Sequence, residues 1–202
     1  MIFSVVDQVI SDLACESIAA MILDATSARA AATRTGTRVD VYGQLPAALA
    51  ALGLSTPSDK VHCIRLDSNS SIDFHAHGWP GFVFFPRDHP TPLIAYLRSP
   101  ELRSVDGVRV IETNVMLSGV VFRCVHEELP MPDVMVEIEC RANRLIFLPG
   151  DALHRVPVTP YGYGDRLSIA SQCSFGDDLR TALEIEGELY SSAQEIEAEL
   201  NT

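Results

Sequence analysis

Basic side chains are scarce in this chain: 15 Lys and Arg stand against 27 Asp and Glu, giving a net charge of −12 and a pI near 4.8. Gripping a nucleic-acid backbone takes a basic stripe that neutralises phosphates, so the balance argues against nucleic acid as the main partner. Cysteine is sparse and badly arranged for pairing. Cys15, Cys63, Cys124, Cys140 and Cys173 are odd in number, scattered, and form no Cys-x-x-Cys. Neither a disulfide framework nor a cysteine zinc site is suggested. A basic leader is missing, since Asp7 and Asp12 occupy the N-terminal stretch, and no apolar run approaches the ~18 residues of a membrane span. A cytoplasmic protein without a membrane partner is the expectation. There is no Gly-rich phosphate loop, because Gly162-Tyr163-Gly164 reads as a turn between strands. No Ser-His-Asp or Cys-His arrangement is evident from spacing.

What is present describes an ordinary globular chain: 202 residues, 47% hydrophobic and 21% charged, most simply one domain over 1–202. Residues 7–32 predict a helix that Asp7 or Ser11 can cap. Val9, Leu13, Ile18, Ile22 and Ala25 or Ala28 recur near a 3.6 period, and Gly36 ends it. A shorter helix is predicted at 46–52, with Pro46 in its first turn and Gly53 at its end. These make residues 1–58 a helical support. Short apolar or alternating runs then follow at 61–66, 72–77, 82–85, 93–97, 108–111, 115–123, 134–140, 144–148, 155–158 and 166–175. Turn residues separate most of them, so a mainly β fold, sandwich or barrel, is expected over 60–175 with flanking helices. Val134-Met135-Val136-Glu137-Ile138-Glu139-Cys140 alternates cleanly, as a strand with one wet face does. From Asp177, over 177–202, Ala182, Leu189, Ala193, Ile196 and Leu200 recur among many Glu residues, the pattern of an acidic amphipathic helix. Its stripe packs on the domain or, in the alternative, forms a homodimer contact.

Chemistry is concentrated in Phe74-His75-Ala76-His77-Gly78 and in Leu148-Pro149-Gly150-Asp151-Ala152-Leu153-His154. On a strand, residues i and i+2 point to one face. His75 and His77 can therefore meet one metal ion from one side while His154 closes the site from another strand. Three neutral imidazoles suit a first-row metal and leave positions open for substrate or oxygen. A lone strand histidine is more often a hydrogen-bonded structural residue, and the paired spacing with the third histidine outweighs that reading.

The flanks carry a resemblance. Asn143-Arg144-Leu145-Ile146-Phe147, His154-Arg155-Val156-Pro157-Val158 and Arg166-Leu167-Ser168-Ile169 together resemble the C-terminal half of the Fe(II)- and 2-oxoglutarate-dependent dioxygenase core, of the prolyl-hydroxylase-like kind. The resemblance implies a double-stranded β-helix, or jelly roll, preceded by helices. It implies that His154 is the distal iron ligand and His75 the first of the His-x-Asp/Glu pair. Arg166 becomes the partner of the far carboxylate of 2-oxoglutarate, a role suited to a planar, permanently charged fork, with Ser168 adding a hydroxyl. At the carboxylate position this chain has His77, which makes the site one unit more positive. Three outcomes stay open: His77 ligates, Asp73 supplies the carboxylate from the other side of His75, or the site is metal-poor.

A second resemblance is to the cupins, through His-x-His and Pro149 to His154. The Glu expected beyond the His pair is absent, with Pro80 and Gly81 there instead, and the cupin pattern has no role for Arg166. The expected activity is therefore oxidation of a small molecule, such as an amino acid or natural-product intermediate, by an enzyme using Fe(II) and 2-oxoglutarate. A three-histidine cupin metalloenzyme or a non-catalytic scaffold on a degenerate jelly roll are the alternatives. Trp79, Tyr96 and Arg98 are candidate substrate contacts. His62 reads as a packed or edge residue, His89 as a turn residue and His126 as a loop residue.

Overall fold

Apolar side chains that fill one or both faces of a strand have to be covered on those faces, and here they set the layers. The structure is a computed structural model describing residues 4–31, 38–76, 80–97, 107–113, 123–124, 127–128, 134–148 and 152–175. Its first half contains β1 (Ser4–Asp7), α1 (Asp12–Ala31), β2 (Arg38–Gln44), α2 (Ala47–Ala50), β3 (Leu54–Ser55), β4 (Lys60–Leu66), β5 (Ile72–His75), β6 (Gly81–Phe85) and β7 (His89–Leu97). The second half adds β8 (Val108–Thr113), β9 (Arg123–Cys124), β10 (Glu127–Glu128), β11 (Val134–Cys140), β12 (Arg144–Leu148), β13 (Leu153–Val156), β14 (Arg166–Gln172) and β15 (Ser174–Phe175). A six-stranded antiparallel sheet runs β1-β12-β6-β14-β4-β2, and a five-stranded one runs β5-β13-β7-β11-β8. Two short pairs, β9 with β10 and β3 with β15, complete the described strands. The chain is thus mainly β, two antiparallel sheets with an N-terminal helix, an arrangement consistent with a jelly roll.

Between the sheets, Ile64, Leu66, Val83, Phe85, Ile146 and Leu148 of the larger one meet Leu93, Val136, Ile138 and Val156 of the smaller. The opposite face of the larger sheet, with Phe82, Phe84, Leu145, Phe147, Leu167 and Ile169, is covered by Cys15, Ile18, Ala19 and Ile22 of α1 and by Leu49 of α2. That double coverage explains why β6 and β12 are buried at every residue.

Several expectations change in detail. The first helix begins at Asp12, because Asp7 ends β1 and Gln8 turns the chain at a φ of 56°. Of the two proposed caps Ser11 serves: its Oγ accepts from the Ala14 amide at 3.3 Å. The buried stripe is Cys15, Ile18, Ala19, Ile22 and Thr26, whereas Leu13 is exposed. The short helix covers only Ala47–Ala50. β2 and β1 were not expected, β7 begins four residues before its predicted start at 93, β13 begins two before 155, and 166–175 divides into β14 and β15. The predicted strand at 115–123 lies outside the described residues except for its last residue, and the acidic helix at 177–202, with its homodimer contact, lies wholly outside them. Among the described residues no helix is long and apolar enough to cross a membrane.

One polar cluster fastens the larger sheet at its β1 edge. Arg144, with 0% side-chain exposure, donates from Nε to Asp7 Oδ1 at 2.6 Å and from Nη2 to Oδ2 at 2.7 Å. Its Nη1 donates to the Glu139 carbonyl at 3.1 Å. The neighbouring Asn143 sits at a φ of 61°, which Asn tolerates better than most residues, and its Oδ1 accepts from the Ile10 amide at 3.1 Å. Removing one partner of a buried fork leaves a desolvated charge behind. Asp7→Ala is expected to destabilise the protein by about 2 kcal/mol, below the range for fully buried pairs because Asp7 is 39% exposed. A lower urea midpoint at unchanged m-value checks this.

Candidate active site between the sheets

Strand register brings the two described histidines of the motif together. β13 pairs with β5 on one side and β7 on the other, so that His154 stands opposite both His75 and Ala95. The β13–β5 register shifts between His154 and Val156, and such irregularities re-aim side chains beside sites. The two imidazole centroids are 4.2 Å apart with their planes tilted by 54°. His75 Nδ1 lies 2.9 Å from the Asp73 carbonyl, and His154 Nδ1 lies 2.9 Å from the Ala152 carbonyl. A carbonyl only accepts, so each Nδ1 carries the proton and each Nε2 the lone pair, the tautomer of a metal ligand. Burial lowers the pKa of His75; the hydrogen bond to Asp73 opposes that, and the positive charge of Arg38 adds to it. The net effect favours the neutral, ligating form.

Arg166, the first residue of β14, faces them from the other sheet with 1% exposure. Its Nε donates to the Thr91 carbonyl at 3.2 Å, and its guanidinium lies 4.7 Å from the centre of the Phe85 ring. The buried Nη2 has no hydrogen-bond partner. Burial lowers its pKa, partly offset by the Cys140 thiol; a guanidinium nonetheless stays charged in proteins. Among the described residues no carboxylate forms an ion pair with it. Ser168, two residues along on the same face, is also buried.

These groups share a cavity of about 350 Å³. His75, His154, Arg166 and Ser168 provide its polar interior; Ile64, Ile72, Val83, Leu93 and Val156 provide apolar wall; Arg38, Tyr42, Lys60 and His62 lie in the lining contributed by β2 and β4. Among the described residues no Asp or Glu belongs to the lining.

The remaining sequence candidates divide. His77, Trp79 and Arg98 lie outside the described residues, as does His126, and of Tyr96 only the backbone is described. Asp73 is exposed and lines a separate cleft with Arg155 and Pro157, away from the imidazole pair's cavity. Among the described residues no three His, Cys, Asp or Glu side chains converge as a metal set. His62 is half-buried; its Nδ1 is 2.9 Å from Asp40 Oδ1, its ring rests on Tyr42, and it lines the cavity. His89 opens β7 instead of sitting in a turn: Nδ1 accepts from the Thr91 amide and Nε2 lies 3.2 Å from the Tyr163 carbonyl. Sequence reasoning missed Arg38 and Lys60 in the cavity wall. Their one local signal is the alternation along β2 and β4.

No family model matches the chain, and no curated protein does. Among solved structures, the chain is similar to a Pseudomonas putida prolyl-4-hydroxylase at 13% identity and a TM-score of 0.47, over 83% of this chain and 89% of that one. A likeness this distant assigns neither residues nor activity.

Cysteine chemistry is suppressed at four positions. Cys15, Cys63, Cys140 and Cys173 are all free thiols. Burial pushes Cys15 and Cys140 up to about 11 and Cys173 to about 12. At Cys140 the positive charge of Arg166 works against that rise. Thiols held neutral in the fold ionise on unfolding above the ordinary value of 9.0. Their contribution to stability is therefore complete below pH 9 and falls as pH rises toward 11 to 12. Iodoacetamide at pH 8 is expected to leave these four unlabelled in the native protein and to label them in urea, read by peptide mass mapping.

Proposed function

We propose that the protein is an Fe(II)- and 2-oxoglutarate-dependent oxygenase on a double-stranded β-helix, acting on a small molecule. The observation that carries this reading is Arg166: a buried guanidinium with an unpartnered Nη2, in one cavity with two imidazoles already in the ligating tautomer. An unpaired buried charge is strongly destabilising, and an anion that enters the cavity answers it. A dicarboxylate would suit the cavity, one end at Arg166 and Ser168 and the other toward the imidazoles, since all four residues line it. His75 and His154 would hold iron through Nε2, with His77 as third ligand; the exposed Asp73 lines another cleft and supports that alternative poorly. Bound iron with 2-oxoglutarate supplies the oxidising power to place a hydroxyl on an unactivated carbon. The protein's part is to fix the imidazoles through the Asp73 and Ala152 carbonyls, anchor the co-substrate at Arg166, and exclude water along the apolar wall.

A three-histidine metalloenzyme that uses no 2-oxoglutarate has no role for a buried cation in the metal cavity. A scaffold would keep that charge unanswered. Both are weaker readings for that reason.

Anaerobic titration with Fe(II) and then 2-oxoglutarate tests the proposal. A visible charge-transfer absorption is expected on addition of the co-substrate. Arg166→Ala should weaken 2-oxoglutarate binding by about 10- to 100-fold, the loss of a charge-assisted contact of about 1.5–3 kcal/mol. His154→Ala should abolish iron binding itself. Iron binding with no response to 2-oxoglutarate would overturn the proposal in favour of the cupin-like enzyme, and no iron binding would leave the scaffold.

A further inference from the structure

The hydrogen bond that fixes Arg166 runs from its Nε to the Thr91 carbonyl at 3.2 Å. Whatever fixes Thr91 is therefore part of the site. The sheet does not do it. In the β7–β11 ladder Leu93 faces Ile138 and His89 faces Cys140, and the register shift between them leaves Pro90, Thr91 and Pro92 without ladder partners. The two prolines have no amide hydrogen, so the Thr91 N–H is the one backbone donor between His89 and Leu93. A side chain takes it: His89 Nδ1 accepts from that amide at 3.0 Å.

The same ring also reaches the other approach to Arg166. Its Nε2 lies 3.2 Å from the carbonyl of Tyr163, in the turn that leads into β14. That turn contains Gly162 and Gly164 at φ of 89° and 43°, and beyond them Asp165 pairs with Arg65 at 2.7 Å. An amide N–H only donates and a carbonyl only accepts, so the roles of the ring are forced: Nδ1 bare, Nε2 protonated. This is the reverse of the tautomer that His75 and His154 adopt. Burial lowers the pKa of His89, and the charge of Arg166 lowers it further, against the carbonyls of Tyr163 and Gly164 and the Asp165 carboxylate. The contacts require that neutral ring. His89 lines a separate outer cleft with Asp88 and Arg141, so it reaches the imidazole cavity only through its neighbours.

We propose that His89 is the positioning residue for Arg166, holding the Thr91 carbonyl on one side of the guanidinium and the Tyr163–Asp165 turn on the other. That the anion met by Arg166 is 2-oxoglutarate rests on the oxygenase reading; the bracing of the guanidinium does not. A guanidinium held at Nε keeps its far nitrogens aimed one way, so an anion meets them without first ordering the side chain.

Two amide substitutions separate the contacts of the ring, because Asn places its oxygen near Nδ1 and Gln places its nitrogen near Nε2. His89→Asn keeps the acceptor for Thr91, His89→Gln keeps only the donor for Tyr163, and His89→Ala keeps neither. In protein loaded anaerobically with Fe(II), 2-oxoglutarate should bind roughly tenfold more weakly to His89→Gln and His89→Ala by calorimetric titration. His89→Asn should stay within about threefold of the wild type, with iron affinity unchanged in all three. The Arg166 Nε–H resonance, assigned by its loss in Arg166→Lys, reads the bracing in the unloaded protein. It should exchange slowly with water in the wild type and His89→Asn, and quickly in the other two. Long-range nitrogen–proton couplings need no variant, and should show His89 with Nδ1 bare. A protonated Nδ1 at neutral pH, or slow exchange that persists in His89→Ala, would overturn the inference. So would affinities that fall equally in all three variants in step with their urea midpoints, as a merely structural role requires. No 2-oxoglutarate binding by the wild type, alongside the expected exchange pattern, removes the oxygenase and leaves the positioning role. Wild-type binding that is unchanged in His89→Ala removes the positioning role alone.

Discussion

A guanidinium placed between two β-sheets has to be answered by acceptors, and the sandwich is organised around how that is done. Arg144 and Arg166 are the two arginines among the largest fully buried side chains of the described fold. Arg144 receives both oxygens of Asp7 and the Glu139 carbonyl, a fork closed by the protein's own groups. Arg166 receives the Thr91 carbonyl and the face of Phe85, and one end of it goes unanswered. The same chemical group is thus fully hydrogen-bonded at one edge of the sheet and lines a cavity nearer its centre. What separates them, among the described residues, is whether a carboxylate pairs with the guanidinium.

That contrast also explains why a cavity exists. Along β12 and β6 the inner face is hydrocarbon, and Ile146 and Phe85 pack in the core between the sheets. Toward β14, β4 and β2 the inner face becomes Arg166, Ser168, His62 and Lys60. Polar and charged groups do not pack dry against a facing sheet without partners. The two sheets therefore enclose hydrocarbon on one side and a lined space on the other.

The sequence made some of this legible and hid the rest for physical reasons. β11, β12, β6 and β4 announced themselves because alternation or continuous apolarity is a local signal. His75 and His154 were legible through the period of two and the Pro-Gly-Asp turn before the third histidine. β1 escaped because four residues next to a helix start look like its leading turn. The stripe of α1 came out rotated: Leu13 is exposed, and the small Cys15, Ala19 and Thr26 face the sheet, where they allow close approach. Arg38 and Lys60 were not recognisable as cavity-lining residues because their placement depends on β2 lying beside β4, a pairing that no local window contains. Arg166 was found through resemblance, and its unanswered Nη2 only through the packing.

The two imidazoles do not sit on equivalent supports. β13 is held by a neighbour on each side, whereas β5 is the outermost of the described strands in its sheet and has β13 alone. His154 is accordingly fixed by the body of the sandwich, and His75 by one ladder whose register shifts just beyond the pair. An ion shared between them would act as a rivet through the hem of a fabric. It would draw the loose border strand onto the firm one, so that occupancy of the centre and closure of that side of the sandwich become one event.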